Sequence, residues 1–384
     1  MKIVFLINTT FPYGSAFSSR ALHFTKLFCK LGYCVHVIAH SSSGVDINFY
    51  ESNVTVDYID VREDIFYLSG VGTAKPYIDV LKNYLLKNKV DIIVSSSMVH
   101  VSSALWKLAK KNGIPYIIEQ CEWYDRSIFK GGKLNPYYRE HIRQIQKKIK
   151  KYDGVIAISR LLQEHYQAQS VHCIRIPTIL DVCSIDYRTN VHSNPLNITF
   201  AGSLGKGKES IRPIFKSIIA LEELASNIHF NIYGANYAQV LENIDNDNGL
   251  MKSIAPYVSI HGRIQQGDVA EKLRIADYSI FIRPNRRSSN AGFPTKLAES
   301  MAVGTPVITN DTGDIGLYIK SGTNGFMLSD ADVQELKEVM KKAISMTTEE
   351  RKIMREKARK TAEEFFDYRR YSGDVESMLS KHRQ

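Results

Sequence analysis

The sequence has little of what marks several protein classes. Its five cysteines, at 29, 34, 121, 173 and 183, are odd in number and form no CxxC pair, which excludes a disulfide frame and a cysteine-built zinc site. No apolar run approaches the roughly 18 residues of a membrane span. Ile3–Ile7 gives way at once to Asn8, Thr9 and Thr10, too short and too abruptly polar for a secretory signal. The expected location is therefore the cytoplasm. There is no low-complexity tract and no short-period repeat. With 44% hydrophobic and 23% charged residues, the chain is not disordered, collagenous or multi-span.

Other absences concern chemistry. The turn after the first apolar run lacks GxGxxG, and the second run ends in Ala39-His40-Ser41 without an acid for a ribose, so a dehydrogenase is not expected. GxxxxGK[ST] is missing, as are RRM, KH and helix-turn-helix patterns. Asp245-Asn246-Asp247 mimics a metal-binding DXD, but its setting among Asn243, Asn248 and Gly249 reads as a turn. His36 and His40 have HxxxH spacing on a strand, which holds them roughly 13 Å apart, too far to share a metal. No cofactor or metal is expected.

What is present is length, charge and alternation. At roughly 100–200 residues per domain, 384 residues suggest two domains. The net charge of +10 points to an anionic partner. Residues 1–190 carry about +8 of it and the rest about +2. Much lies in 139–151, where Ile142, Ile145 and Ile149 share one helical face among cations. A solvated helix face and a surface for an anionic membrane or substrate both fit this pattern.

Short β-branched runs alternate with amphipathic stretches from Lys2–Ile7 to Gly154–Ile158. The alternation resumes from Asn197–Ala201 to Pro306–Thr309 after an irregular stretch around 176–195. The expected class is α/β, with two doubly wound Rossmann-like domains and a ligand cleft where the strands end. The first domain is expected over 1–190 and the second over 191–366.

Three turns carry the chemistry. Phe11–Arg20 places Gly14 and Ser15 between a strand and a helix, a setting for an anion on backbone N–H groups. Phe200–Glu209 places Gly202, Ser203 and Lys208 after a strand, where glycines and lysines suit a diphosphate. In 281–299 an Arg-rich loop leads to a helix starting near Pro294. Arg283, Lys296 and the Thr295 amide are candidate diphosphate ligands, Pro294 and Leu297 are candidate donor-binding residues beside them, and Glu299 is a candidate acceptor for ribose hydroxyls. Glu119 and Glu122, after another strand, are candidates to orient or deprotonate an acceptor hydroxyl. His100 reads as a loop histidine.

The 281–309 stretch resembles the donor-binding signature of glycosyltransferase family 4, retaining enzymes of GT-B fold. Lys30–Val37, Ala157-Ile158-Ser159, Ile176-Pro177, Ile232-Tyr233-Gly234, His261-Gly262-Arg263, Ala276-Asp277 and Asn324-Gly325-Phe326 are similar to the family as well. The resemblance implies hexose transfer, with retention, from a UDP- or GDP-linked sugar to a glycan or lipid-linked oligosaccharide. Its setting would be O-antigen, capsule or exopolysaccharide synthesis, with peripheral contact at the inner face of the plasma membrane. It assigns catalytic roles to Lys208 and Arg283, and a C-terminal helix of about 367–384 that packs back on the first domain. The chain departs from the family where the first of two glutamates falls on Ala291, an arginine on Ser203 and a histidine on Cys121. A non-transferase GT-B enzyme of epimerase type is the alternative. Nucleic-acid binding explains the charge but lacks its motifs.

Overall fold

The computed structural model describes residues 1–40, 53–59, 74–190, 193–204 and 209–382. The chain forms two compact units: Met1–Leu180 with Tyr368–Gln384, and Asp181–Asp367. The boundary lies at Leu180, ahead of the expected 190.

The first unit contains β1 (Lys2–Thr10), α1 (Ala16–Lys30), β2 (Cys34–His40), β3 (Val54–Ile59), α2 (Ala74–Lys87), β4 (Ile92–Ser96), α3 (Ser102–Lys111) and β5 (Tyr116–Gln120). It continues with α4 (Pro136–Gln146), β6 (Gly154–Ala157), α5 (Arg160–Gln167) and β7 (Cys173–Arg175). All its strand pairs are parallel, in the order β3-β2-β1-β4-β5-β6-β7. Ile3–Leu6 is wholly buried because helices cover both faces of such a sheet. Phe5 meets Phe28 of α1 edge-on, with centroids 5.7 Å apart.

The basic segment folds as α4 followed by a 3-10 turn at Lys148–Lys151. Ile145 and Ile149 are fully buried and Ile142 partly so, which turns the apolar stripe toward the core and leaves Arg139, Arg143, Lys147 and Lys150 exposed.

The second unit contains β8 (Leu196–Ala201), α6 (Arg212–Ile219), β9 (Ile228–Tyr233), α7 (Tyr237–Asn243), α8 (Asn248–Ile254), β10 (Val258–Gly262), α9 (Gln266–Arg274) and β11 (Tyr278–Phe281). After these come α10 (Arg287–Ala291), α11 (Thr295–Ala302), β12 (Val307–Asn310), β13 (Gly325–Leu328), α12 (Val333–Ser345) and α13 (Thr348–Phe365). Its sheet runs β10-β9-β8-β11-β12-β13, again parallel. The last helix, α14 (Ser372–Ser380), belongs to the first unit, whose core takes Val375, Met378 and Leu379.

In each sheet the winding reverses once, between β1 and β4 and between β8 and β11. At such a reversal the loops leaving two neighbouring strands diverge and open a crevice. In the second unit those are the loops beginning at Gly202 and Ile282. No helix among the described residues is long and apolar enough to cross a membrane.

The irregular chain from Ile176 to Arg188 finds few backbone partners: Tyr368 N–H meets the Leu180 carbonyl at 2.9 Å. Buried arginines supply donors instead. Arg20 donates through Nη2 to the Ile176 carbonyl at 2.9 Å and through Nη1 to the Pro177 carbonyl. Arg359 donates to Val182 and Ile185, both at 2.9 Å. Arg355 donates to Arg188 at 2.8 Å, Ala276 at 2.5 Å and Arg274 at 2.9 Å, and burial pulls its pKa down to about 10. Replacing Arg355 with Met strands three carbonyls. At roughly 1–3 kcal/mol each, the expected loss is about 3 kcal/mol or more, read as a lower thermal midpoint with the nearby surface variant Lys352→Met as control.

Candidate active site

The second unit's crevice is built by two backbone turns and one lysine. Gly202, next after β8, has φ +147°, and its N–H donates to Tyr233 O at 2.9 Å. Gly234, next after β9, has φ +94°, and a Cβ there would lie 2.7 Å from Gly202 O. A Cβ on Gly202 would overlap the Lys296 side chain. Only glycine lets the two turns and the lysine come this close.

Lys296 Nζ lies 3.1 Å from Glu209 Oε1 and 5.2 Å from the centroid of the Phe200 ring. Glu209 is held by its own backbone, which accepts from Asn243 Nδ2 at 3.0 Å, and by Ser210 N–H, which donates to Ile282 O at 2.9 Å. Among the described residues its buried Oε2 has no hydrogen-bond partner.

Helix α11 opens at Pro294 with no side-chain cap. Among the described residues the N–H groups of Thr295 and Lys296 meet no acceptor, whereas Leu297 N–H returns to Pro294 O at 3.1 Å. Uncapped amides at a helix start carry partial positive charge. One turn on, Glu299 has its carboxyl pKa raised by burial, with Lys296 opposing the shift.

Arg283 is buried at the end of β11. Its N–H donates to Asn310 Oδ1 at 2.8 Å, Asn310 Nδ2 returns a bond to its carbonyl at 2.8 Å, and its Nη1 lies 3.4 Å from Thr312 Oγ1. Leu204, Glu209, Ser210, Asn243, Arg283 and Arg286 are among the residues lining a cavity of about 720 Å³.

In the first unit Gly14 has φ +131° and Ser15 caps α1, accepting from Ser18 N–H at 3.1 Å. Ser15 Oγ also lies 3.0 Å from Thr9 Oγ1. Glu119 is buried and ion-paired with Arg20. Cys121 Sγ donates to Glu119 Oε1 at 3.5 Å, and burial pushes the Cys121 thiol well above its ordinary pKa.

Two family models match in succession: Glycosyltransferase Family 4 over residues 18–181 and Glycosyl transferases group 1 over residues 190–361. The chain belongs to the family 4-like glycosyltransferases. Three solved structures resemble this glycosyltransferase over nearly its full length. Sucrose-phosphate synthase from Thermosynechococcus elongatus is 12% identical, covers 99% of both chains and has a TM-score of 0.73. Anabaena HepE in complex with UDP is 14% identical, covers 99% of this chain and 100% of its own, and has a TM-score of 0.69. WaaG, a glycosyltransferase involved in lipopolysaccharide biosynthesis, is 14% identical, covers 98% and 99%, and has a TM-score of 0.67. The fold is GT-B. No curated protein matches the sequence.

In the second unit Gly202 packs against the Lys296 side chain, Pro294, Thr295, Lys296 and Glu299 follow one another along the start of α11, and Arg283 lines the cavity that Glu209, the partner of Lys296, also borders. Ser203 is exposed in the same turn. Lys208 lies outside the described residues.

Two expectations need correction. Glu119 is not a free carboxylate at a strand end, because Arg20, 99 positions earlier, takes one of its oxygens. Leu297 offers no ligand amide, because its N–H closes the first turn of α11 and its side chain is fully buried. Glu122 stays half-buried beyond β5. Asp245 and Asp247 are turn residues that bind Arg212 at 3.2 and 3.0 Å.

The reading of the motifs overlooked Glu209, Asn310 and Thr312. Glu209 closes the Gly-Lys turn, and nothing local shows that its carboxylate reaches Lys296.

The raised pKa of Glu299 means that folding disfavours its ionised form. That penalty is absent below the ordinary carboxylate pKa and grows as pH rises toward the folded value. Glu299→Gln should therefore raise the thermal midpoint of the ligand-free protein at pH 7, with the gain vanishing near about pH 4.

Proposed function

We propose that this glycosyltransferase moves a hexose, with retention of configuration, from a UDP- or GDP-linked sugar to a sugar hydroxyl of a growing glycan. The reading is carried by one juxtaposition: the uncapped amides of Thr295 and Lys296 beside the Lys296 ammonium, with Glu299 one turn further along α11. A diphosphate satisfies the amides and the cation together. Glu299, an acceptor-only carboxylate when ionised, takes the ribose hydroxyls.

Arg283 and Lys208 are assigned to the same diphosphate. Positive groups there stabilise charge that builds on the leaving group as the bond from the anomeric carbon to phosphate breaks. The acceptor oxygen then bonds to that carbon from the same face, in an ion-pair-like step. Gly14 and Ser15, at the start of α1, are assigned to the donor from the first unit, and Glu122 to the acceptor hydroxyl. HepE binds UDP, which favours a UDP-linked donor, and the role of WaaG favours a cell-surface polysaccharide as product.

The acceptor is proposed to be lipid-linked. Between β5 and α4, Ile128 is 44% exposed and Leu134 81% exposed, among exposed Arg126, Lys130 and Lys133, with exposed Arg139 following in α4. Apolar tips ringed by cations suit the face of an anionic bilayer, at about 1 kcal/mol per cation near the surface. Sedimentation with phosphatidylglycerol vesicles should retain the protein at low salt, release it as salt rises, and fail for an Ile128→Ser, Leu134→Ser double variant.

A thermal-shift panel of UDP, GDP and their common sugars tests the donor site. At a hundredfold excess over Kd, stabilisation of about 2.7 kcal/mol is expected, and Glu299→Gln should abolish most of it. No response to any nucleotide rejects the reading.

A further inference from the structure

The family resemblance places a sugar-contacting glutamate where this chain has Ala291, a fully buried methyl at the end of α10. The donor sugar would then meet no carboxylate from that helix. Glu209, paired with Lys296 of the next helix and bordering the cavity, has one to offer. Its side chain is only 8% exposed, yet just one of its two oxygens is used, by Lys296 Nζ at 3.1 Å. Among the described residues Oε2 has no partner. Native proteins leave few buried acceptors unsatisfied, and those that remain call for an explanation.

Ligand binding supplies one. Glu209 does not reach Lys296 by chance of a loose side chain, because the residue is pinned on both sides, by Asn243 Nδ2 on its carbonyl and by the bond from Ser210 to Ile282. An ammonium group has three donors. One held by Glu209 leaves two for phosphate oxygens, so Lys296 can touch the diphosphate and Glu209 at once. A carboxylate sharing that lysine stands beside the phosphate that carries the sugar. It also borders the cavity lined by Ser210, Asn243 and Arg283, whose mixed donors and acceptors suit a neutral polyhydroxylated ring.

We propose that Glu209 is a specificity-determining residue that accepts hydroxyl hydrogen bonds from the transferred hexose through Oε2, in place of the carboxylate missing at residue 291. The proposal rests on the reading of Lys296 as a diphosphate ligand.

Calorimetric titration of the full chain and of Glu209→Gln with UDP, UDP-glucose, UDP-galactose, GDP and GDP-mannose tests it. Losing a charge-assisted bond should weaken the best nucleotide sugar roughly ten- to hundredfold, while its parent nucleoside diphosphate stays within about twofold. Equal losses for sugar-bearing and sugar-free ligands would show that Glu209 acts only by positioning Lys296, and would overturn the proposal. Unchanged affinity for both would overturn it too. If the unmodified protein binds none of the five, the donor-site reading itself fails and this inference falls with it. Should Glu209→Gln not fold, Glu209→Asp, which keeps the charge and shortens the reach, is held to the same comparison.

Discussion

Buried guanidinium groups bonded to backbone carbonyls are the constraint on which the two units depend. Chain that leaves a sheet has no ladder to satisfy its peptide groups, and a buried carbonyl without a donor is expensive. Between Ile176 and Arg188 the carbonyls find Arg20, Arg359 and Arg355. A planar fork with five donors can serve several carbonyls at once, which a lysine cannot. The same commitment of Arg20 fixes Glu119, so one buried pair both anchors the chain and removes a carboxylate from the chemistry.

The second unit shows the opposite treatment of polar groups. Around its β8 and β11 ends the amides of Thr295 and Lys296, the Oε2 of Glu209 and the half-buried carboxyl of Glu299 lack protein partners among the described residues. Two other helices of the same unit are closed completely: Asn236 with Gln239, and Thr347 with Glu350, form capping boxes. Unmet polarity at a switch point marks where stability is traded for binding.

The departures from the family pattern fit that picture. With a methyl at 291 and a serine at 203, charge at the crevice is carried by Lys296, Arg283 and Glu209. Two glycines make room for the lysine, and a loop far along the chain supplies its counter-ion. The cationic stretch of 126–151 belongs to the first unit, where Ile145 and Ile149 serve the core while Ile128 and Leu134 stand exposed.

Much of this was legible in the residues alone. Short continuous apolar runs rich in β-branched residues, such as Ile3–Ile7, read as strands buried on both faces, and their alternation with amphipathic helices points to parallel, doubly wound sheets. Short strands such as Cys173–Arg175 and Gly325–Leu328 escaped, because three or four residues carry too little pattern. The turn glycines and the Pro294–Glu299 helix start were readable too, since uncapped amides and charge spacing are local properties. Whether a carboxylate is free is not local. Glu119 and Arg20 are 99 positions apart, Glu209 and Lys296 are 87 apart, and only the folded chain decides which of two similar glutamates is consumed by a buried partner and which keeps an oxygen for a ligand.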